Sequence, residues 1–264
     1  MLRNIRELEE YAVCATDGNI GRVTDFYFDD DRWVIRYLLA ALDEETPRRK
    51  VLISPIAIGE LNWTQKLIPV ALSREQVLKS PDIDTDKPIS RQHELGYLGY
   101  YGYGKYWGGG GLWGAGMYPD ILQAGLQAGE SNSPPGKHHR SDPHLRSGNA
   151  VMRYYVHASD GDIGHVQGLL IDDRSWAIRY FVVNTSNWWL GHQVIIAPSW
   201  IDSMSWSEST VNVGITRQAL KDAPPYDPSV TIDREHELGI HRHYGRRSDW
   251  LERDPGNVND GRHG

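Results

Sequence analysis

The stretch Asp17-Gly18-Asn19-Ile20-Gly21 returns 143 positions later as Asp160-Gly161-Asp162-Ile163-Gly164. The same offset relates Trp33-Val34-Ile35-Arg36-Tyr37 to Trp176-Ala177-Ile178-Arg179-Tyr180. Because the offset is constant, the two copies differ by no net insertion or deletion. Solenoid repeats recur about every 20–50 residues, so this longer period has the size of a whole domain. The sequence therefore predicts a duplicated module.

Smaller matches at the same offset extend over both copies. They pair Asp29-Asp30 with Asp172-Asp173, Pro55 with Pro198, Trp63 with Trp206, Arg74 with Arg217, Pro81 with Pro224, Asp84 with Asp227, and Arg91–Gly96 with Arg234–Gly239. We therefore expect a first module at residues 1–96 and a second at 149–245. Between them we expect a Gly/aromatic and Pro/His-rich linker at 97–148, and after them a polar tail at 246–264.

The composition of the 264-residue chain narrows the function classes. Its net charge of −7 disfavours direct nucleic-acid binding, which needs a basic surface. Cys14 is the only cysteine, and His157 stands at its counterpart position, so we expect a structural role for it. No stretch approaches 18 uncharged apolar residues, and the first ten residues carry no apolar signal segment. We therefore expect a cytoplasmic protein without a transmembrane segment.

Short apolar runs between tight turns predict the local structure of each copy. In the first copy they predict strands at 11–16, 20–28, 33–42, 51–53, 56–58 and 67–70. Asp17-Gly18 suits a hairpin turn, since both residues tolerate positive φ. Ser73 and Gln76 form a capping-box pattern that opens a short helix, which Pro81 ends. The expected fold class is all-β: two tandem small, partly open β-barrels, each followed by a short helix and a crossover segment.

These features together resemble the PRC-barrel family. The matching parts are the D-G-x-I-G hairpin, the Asp-Asp turn before the W-x-I-R-Y strand, the strand end at Pro55 or Pro198, and the capped helix that stops at proline. The likeness covers residues 2–95 and 149–238. Members include the cytoplasmic domain of the photosynthetic reaction-centre H subunit, which follows a transmembrane helix, and the C-terminal domain of the ribosome maturation factor RimM, which follows a different domain. This chain shows neither that transmembrane helix nor that other domain. It resembles stand-alone bacterial proteins with two such modules.

The resemblance implies a fold and little chemistry, because the family shares no known catalytic motif. It favours a non-catalytic protein-binding scaffold or adaptor, peripheral to a membrane complex as in the H subunit. One alternative is a module that binds a small ligand or a metal, and another is association with RNA or the ribosome by analogy with RimM. We expect the two modules to pack on each other about a pseudo-two-fold axis, with crossover segments 82–95 and 227–238 reaching across the junction. Whether copies of the chain associate stays open.

The segment Tyr97–Gly116 is rich in glycine and aromatic residues. It is either a flexible linker or a set of aromatic side chains that dock on a module or on a partner. The candidate contact residues are Tyr100, Tyr101, Tyr103, Tyr106, Trp107 and Trp113. We add Trp188, Trp189 and Trp200 from the second copy, because tryptophan is enriched at binding hot spots. The first copy has Glu44-Glu45-Thr46-Pro47 where the second has Asn187-Trp188-Trp189-Leu190.

Histidine supplies the only metal signal in the sequence. The clusters are His138, His139 and His144 in the linker, and His236, His241 and His243 near the end. Neither contains cysteine or the H-E-x-x-H spacing, so we predict no metal site and no cofactor. We read Arg36, Arg179 and the paired aspartates as structural, since aspartate suits turns and a strand arginine can either snorkel or pair with a neighbouring carboxylate. We predict no catalytic residue and no enzyme activity.

Overall fold

The computed structural model describes residues 1–43, 49–83, 89–123, 144–185 and 192–246. Thirteen strands lie in these ranges: β1 (Leu2–Asn4), β2 (Ala12–Ala15), β3 (Gly18–Asp29), β4 (Val34–Leu42), β5 (Lys50–Ile53), β6 (Leu67–Pro69), β7 (Leu145–Ser147), β8 (Tyr155–Ala158), β9 (Gly161–Asp172), β10 (Ile178–Asn184), β11 (Gln193–Ile196), β12 (Ile201–Ser205) and β13 (Thr210–Val213). Five α-helices accompany them: α1 (Arg74–Leu78), α2 (Arg91–Tyr101), α3 (Gly148–Val151), α4 (Arg217–Lys221) and α5 (Arg234–His243).

The strands form two mixed sheets. The first has the order β5-β4-β3-β2-β6, with β7 added to β3, and the second has the order β11-β10-β9-β8-β13-β12, with β1 added to β9. The pairs β2–β6 and β8–β13 are parallel, and the other pairs are antiparallel. In the described part of the chain neither sheet closes into a barrel. The architecture is therefore β-rich with two sizeable helices, α2 and α5.

Several predicted local features are present and others are shifted. Ser73 and Gln76 form the predicted capping box of α1, and Thr216 caps α4. The hairpin turn lies one residue earlier than predicted, at Thr16-Asp17, because Ala15 pairs with Gly18. Gly18 then enters β3 with φ +142°, a backbone conformation that glycine adopts without strain. The predicted strand at 56–58 was wrong, since Pro55–Ala57 is a 3-10 helix that starts with proline.

The two halves exchange their first strands. β1 pairs with β9, matching Leu2 with Asp172, while β7 pairs with β3, matching Leu145 with Asp29. Leu145 lies 143 positions after Leu2, and Asp172 lies 143 positions after Asp29, so the two pairings have the same register. Each sheet is therefore completed by a strand from the other half of the sequence.

A second contact between the halves lies where Val34 faces Ala177 in an isolated antiparallel bridge. The Ile35 amide donates to the Trp176 carbonyl at 2.9 Å, and the Ile178 amide donates to the Trp33 carbonyl at 2.7 Å. Replacing each residue by its counterpart 143 positions away turns one bond into the other. A local pseudo-two-fold axis therefore passes between Val34 and Ala177.

The first predicted crossover segment reaches the second half at Glu94, whose Oε2 lies 2.8 Å from His144 Nε2. The helices α2 and α5 also bond within their own halves. In the first half, the Tyr97 hydroxyl of α2 donates to the Leu52 carbonyl and accepts from the Ser54 amide. In the second half, His243 of α5 bonds to the Ala219 carbonyl. The exchange of β1 and β7 adds a backbone crossing between the halves.

The core is continuous through both sheets. All nine residues of β4 are buried, which is the pattern of a strand that is covered on both faces. In the second sheet, the side chains of Val156, Val166, Phe181, Val183 and neighbouring residues leave no room for a water molecule between them. None of the described helices is long and apolar enough to span a membrane.

Candidate functional site

A buried carboxylate, Glu94, is the centre of a cluster of polar side chains. It lies on α2, and its side chain is fully enclosed. The Tyr37 hydroxyl donates to Glu94 Oε1 at 3.2 Å, and the Tyr106 hydroxyl also donates to this oxygen. His144 Nε2 lies 2.8 Å from Glu94 Oε2, and Arg91 Nη1 lies 3.3 Å from the same oxygen. The carboxylate thus joins β4, α2, the Gly/aromatic segment and the residue before β7.

Arg36 forms a second part of this cluster. Its Nη2 donates to Asp29 Oδ2 at 3.1 Å, and its Nη1 donates to the Leu112 carbonyl at 2.8 Å. The guanidinium carbon lies 3.9 Å from the Tyr106 ring centroid and 4.7 Å from that of Trp113. Both members of the Arg36–Asp29 pair are buried, so the structure shows pairing, one of the two structural roles that we expected for this arginine.

Burial shifts the pKa values of two tyrosines and one arginine in this cluster. It raises the pKa values of the Tyr37 and Tyr106 hydroxyls well above 10.0, with Glu94 adding to both shifts. Burial lowers the pKa of Arg36, while Tyr106 and Asp29 oppose that change. At neutral pH the two hydroxyls therefore keep their protons and donate to Glu94. The arrangement can hold chain segments together by charge-assisted hydrogen bonds.

The second half has a related cluster around Glu237, the counterpart of Glu94. Arg179 Nη2 lies 3.5 Å from Glu237 Oε1, and the Tyr180 hydroxyl bonds to His241 Nε2 at 3.0 Å and also to Glu237. Burial raises the pKa of Glu237 above 4.5, although Arg179 opposes the shift. Trp200 packs against His241, with ring centroids 4.9 Å apart.

The predicted contact aromatics fall into three groups. Tyr106, Trp113 and Trp200 are buried in the core, and so they cannot touch a partner in this conformation. Tyr101, Tyr103 and Trp107 are half-buried against the core, and Tyr100 is exposed. Trp188 and Trp189 lie outside the described residues. The structure brings the aromatics of 100–113 together with the first module, which is one of the two interpretations that the sequence allows.

The glycines of this segment allow tight backbone packing. A Cβ atom at Gly109 would overlap the Gly114 carbonyl, and one at Gly111 would overlap the Gly116 carbonyl. Arg32 donates to carbonyl oxygens of this turn, including that of Gly109 at 3.1 Å. Trp113 Nε1 donates to the Ser175 carbonyl of the second half at 2.8 Å. The segment is therefore wedged between the two halves.

An exposed group of apolar side chains follows the wedge. We call Met117, Tyr118 and Ile121 the apolar ledge; they are 37%, 37% and 52% exposed. Leu122 is buried beneath them, and the Gln123 side chain donates to the Ile56 carbonyl at 2.6 Å. The Arg174 guanidinium lies 4.9 Å from the Tyr118 ring centroid. The segment that carries the ledge thus contacts the first half through Gln123 and the second half through Tyr118, while the three apolar side chains of the ledge stay partly exposed.

The histidines do not assemble as ligands in the described residues. No group of three or more His, Cys, Asp or Glu side chains there could hold a metal ion. His93 bonds to the Asp82 carbonyl at 3.1 Å, and His236 lies 2.9 Å from Asp233 Oδ1. His138 and His139 lie outside the described residues.

Sequence reasoning overlooked the residues that join the halves. Glu94 and Glu237 recur at the constant offset, as do their strand partners Tyr37 and Tyr180, but nothing in the local sequence indicates that each glutamate contacts its tyrosine. Leu2-Arg3 recurs as Leu145-Arg146 at that offset, so the repeat extends to both exchanged strands, although it does not indicate their partners. Comparison with protein-family models finds none that matches the chain, and comparison with curated proteins finds no match either.

Proposed function

We propose that this protein is a non-catalytic adaptor that binds another protein through the apolar ledge. The observation that carries the proposal is the exposure of Met117, Tyr118 and Ile121 on a segment anchored to both halves. Apolar side chains held outward on a fixed backbone lose little conformational entropy on binding, which favours association. The partner would present a complementary apolar surface.

The buried clusters support this role by fixing the segment that carries the ledge. Tyr106 bonds to Glu94, and Trp113 bonds to Ser175, so the chain before the ledge is attached to both halves. In this proposal the charged residues of the interior serve architecture, and the partner-binding residues lie at the surface.

We further propose that each half is a partly open PRC-barrel-like module. Three features of each half support this assignment. A glycine with positive φ begins the second strand of the hairpin, that strand (β3 or β9) is long, and Ser or Thr caps the short helix α1 or α4. Fold likeness alone does not identify a partner, so the adaptor proposal depends on the ledge.

The test is a crosslinking pull-down with mass spectrometry, comparing the wild-type chain with a Met117→Ser, Ile121→Ser double variant. We expect the double variant to lose at least one partner that the wild type captures reproducibly. Val230→Ser is the matched control, because Val230 is also an exposed apolar residue, at 48%, and lies away from the ledge in sequence. Circular dichroism melting establishes that all variants fold.

The identity of the captured proteins separates the remaining candidates. A membrane complex that depends on the ledge supports an adaptor peripheral to a membrane, and ribosomal proteins support the RimM-like alternative. Identical captures by wild type and double variant would rule out the ledge as the binding surface. The Trp188→Ala, Trp189→Ala variant then tests the second predicted contact surface.

A further inference from the structure

We infer that two copies of this chain can form a domain-swapped dimer, in which each half packs against the complementary half of the other copy. In this dimer, residues 1–123 of each protomer pack against residues 144–246 of its partner. The contacts are those already present within one chain, and only the connectivity changes. Domain swapping of this kind requires that an element be exchanged for its identical copy.

The first observation is the equivalence of the two exchanged strands. β1 pairs with β9 over three residues, and β7 pairs with β3 over three residues in the matching register. The Asp173 amide donates to the Met1 carbonyl, and the Asp30 amide donates to the His144 carbonyl, each at 3.1 Å. These residues also correspond at the offset of 143. The junction is thus built like an isologous two-fold interface, with the same type of contact made twice.

The second observation is an arginine on each exchanged strand that reaches back to its own half. The Arg3 guanidinium lies 4.5 Å from the Trp63 ring centroid, and that of Arg146 lies 4.2 Å from the Trp206 ring centroid. Arg146 Nε also bonds to Asp30 Oδ2 of the other half at 2.7 Å. Each strand therefore stays attached to its own half while its backbone completes the other.

The third observation is the position of the covalent connection. Twenty residues, 124–143, separate the last described residue of the first half from His144. A stretch of this length can reach at most about 70 Å, enough to join two halves of one chain or of two neighbouring chains. The junction contacts do not depend on which chain supplies each half.

Competition between the two arrangements sets the conditions for the dimer. Linked halves see each other at an effective concentration in the millimolar range. Refolding at micromolar concentration therefore favours the closed monomer, whereas refolding near that range allows intermolecular pairing. After dilution the dimer persists until the halves separate.

The test uses the full chain with Val34→Cys and Ala177→Cys in a Cys14→Ser background. Val34 and Ala177 form a non-hydrogen-bonded antiparallel pair, for which the Cα separation of about 4.5 Å suits a disulfide. The reduced chain is refolded at about 5 μM and at about 500 μM, well below and near the effective concentration, and is then oxidised. We expect an internally crosslinked monomer at the lower concentration and a covalent dimer on non-reducing gels at the higher.

The controls distinguish exchange from random crosslinking. The Val34→Cys single variant should give no covalent dimer, because two copies of Val34 do not face each other in the exchanged arrangement. Equal dimer yields from the single and double variants would overturn the proposal, as would a double variant that stays monomeric at both concentrations. If the double variant fails to fold, wild-type chain refolded at both concentrations is measured by size exclusion with light scattering. A dimer fraction that does not rise with concentration then overturns the proposal.

Discussion

Glu94 and Glu237 occupy equivalent places in the two halves, but different segments enclose them. Glu94 is enclosed by Tyr106 and His144, which come from the Gly/aromatic segment and from the residue before β7. Glu237 pairs with Arg179 of its own sheet, and its tyrosine partner bonds to His241 of its own helix. Each half therefore has a buried carboxylate beside a strand tyrosine. Among the described contacts, Glu237 joins α5 to β10, whereas Glu94 also binds the Gly/aromatic segment and the residue before β7.

The largest difference between the halves is expected for their strand arginines. Arg36→Met should lower the free energy of unfolding by about 3–5 kcal/mol, because it leaves buried Asp29 without its cation. Arg179→Met should lower the free energy of unfolding by less than this, but by more than the roughly 0.2–1 kcal/mol of an exposed ion pair. The Arg179 side chain is 18% exposed and lies 3.5 Å from Glu237. Urea denaturation of both variants measures the difference. Equal losses would show that the two arginines contribute alike.

The next effect concerns the hydroxyl that joins the Gly/aromatic segment to α2. Tyr106→Phe should destabilise the protein by about 1–3 kcal/mol, because it removes a hydrogen bond to a buried carboxylate. Tyr103→Phe is the matched control, since Tyr103 stacks on Tyr101 and lies outside the Glu94 cluster. Both variants are compared by urea denaturation, and tryptic cleavage at Lys105 should accelerate only in Tyr106→Phe. Similar behaviour of both variants would contradict the role assigned to the cluster.

A pH-dependent difference is expected for Glu237. Burial raises its folded-state pKa above the ordinary value of 4.5. At a pH between 4.5 and the folded-state pKa, the folded state therefore binds more protons than the unfolded state. The contribution of this group to stability is therefore greatest at low pH and declines as the pH rises through that window. Glu237→Gln cannot titrate and should gain stability relative to wild type over the same window. Melting temperatures from pH 4 upward test this, with the exposed neighbour Glu235→Gln as control; a flat difference would contradict it.

The smallest effect is expected to be equal in the two halves. Gly96 and Gly239 lie within α2 and α5, and an added Cβ would meet no atom within 4 Å at either position. Gly96→Ala and Gly239→Ala should each stabilise the protein by about 0.5–1 kcal/mol, because alanine has the higher helix propensity. Thermal melting measures both. A loss of stability in one half alone would indicate an additional packing role for that glycine.

Local features of this fold could be predicted from sequence because they depend on neighbouring residues. Ser73 and Gln76 cap α1 as their spacing predicts, and the apolar run of 33–42 predicts β4. The pairing of β1 with β9 could not be predicted in this way, since three residues carry no periodicity and their partners lie about 170 positions away. The Glu94 cluster was also inaccessible, because its members come from four separate segments. Composition was misleading at Tyr106 and Trp113, whose glycine-rich surroundings suggest flexibility although both side chains are buried.

The packing of Gly109 and Gly111 against carbonyl oxygens has a consequence for how this chain can vary. A run of glycines looks like the part of a protein that evolution could lengthen, shorten or rewrite freely. Here an alanine at Gly111 would displace the turn that holds Trp113 against the second half, whereas an alanine at Gly110 would meet open space. Within one short run, a freely variable position thus lies between two that tolerate almost no substitution. The glycine-rich composition of this segment therefore does not show that its positions tolerate substitution.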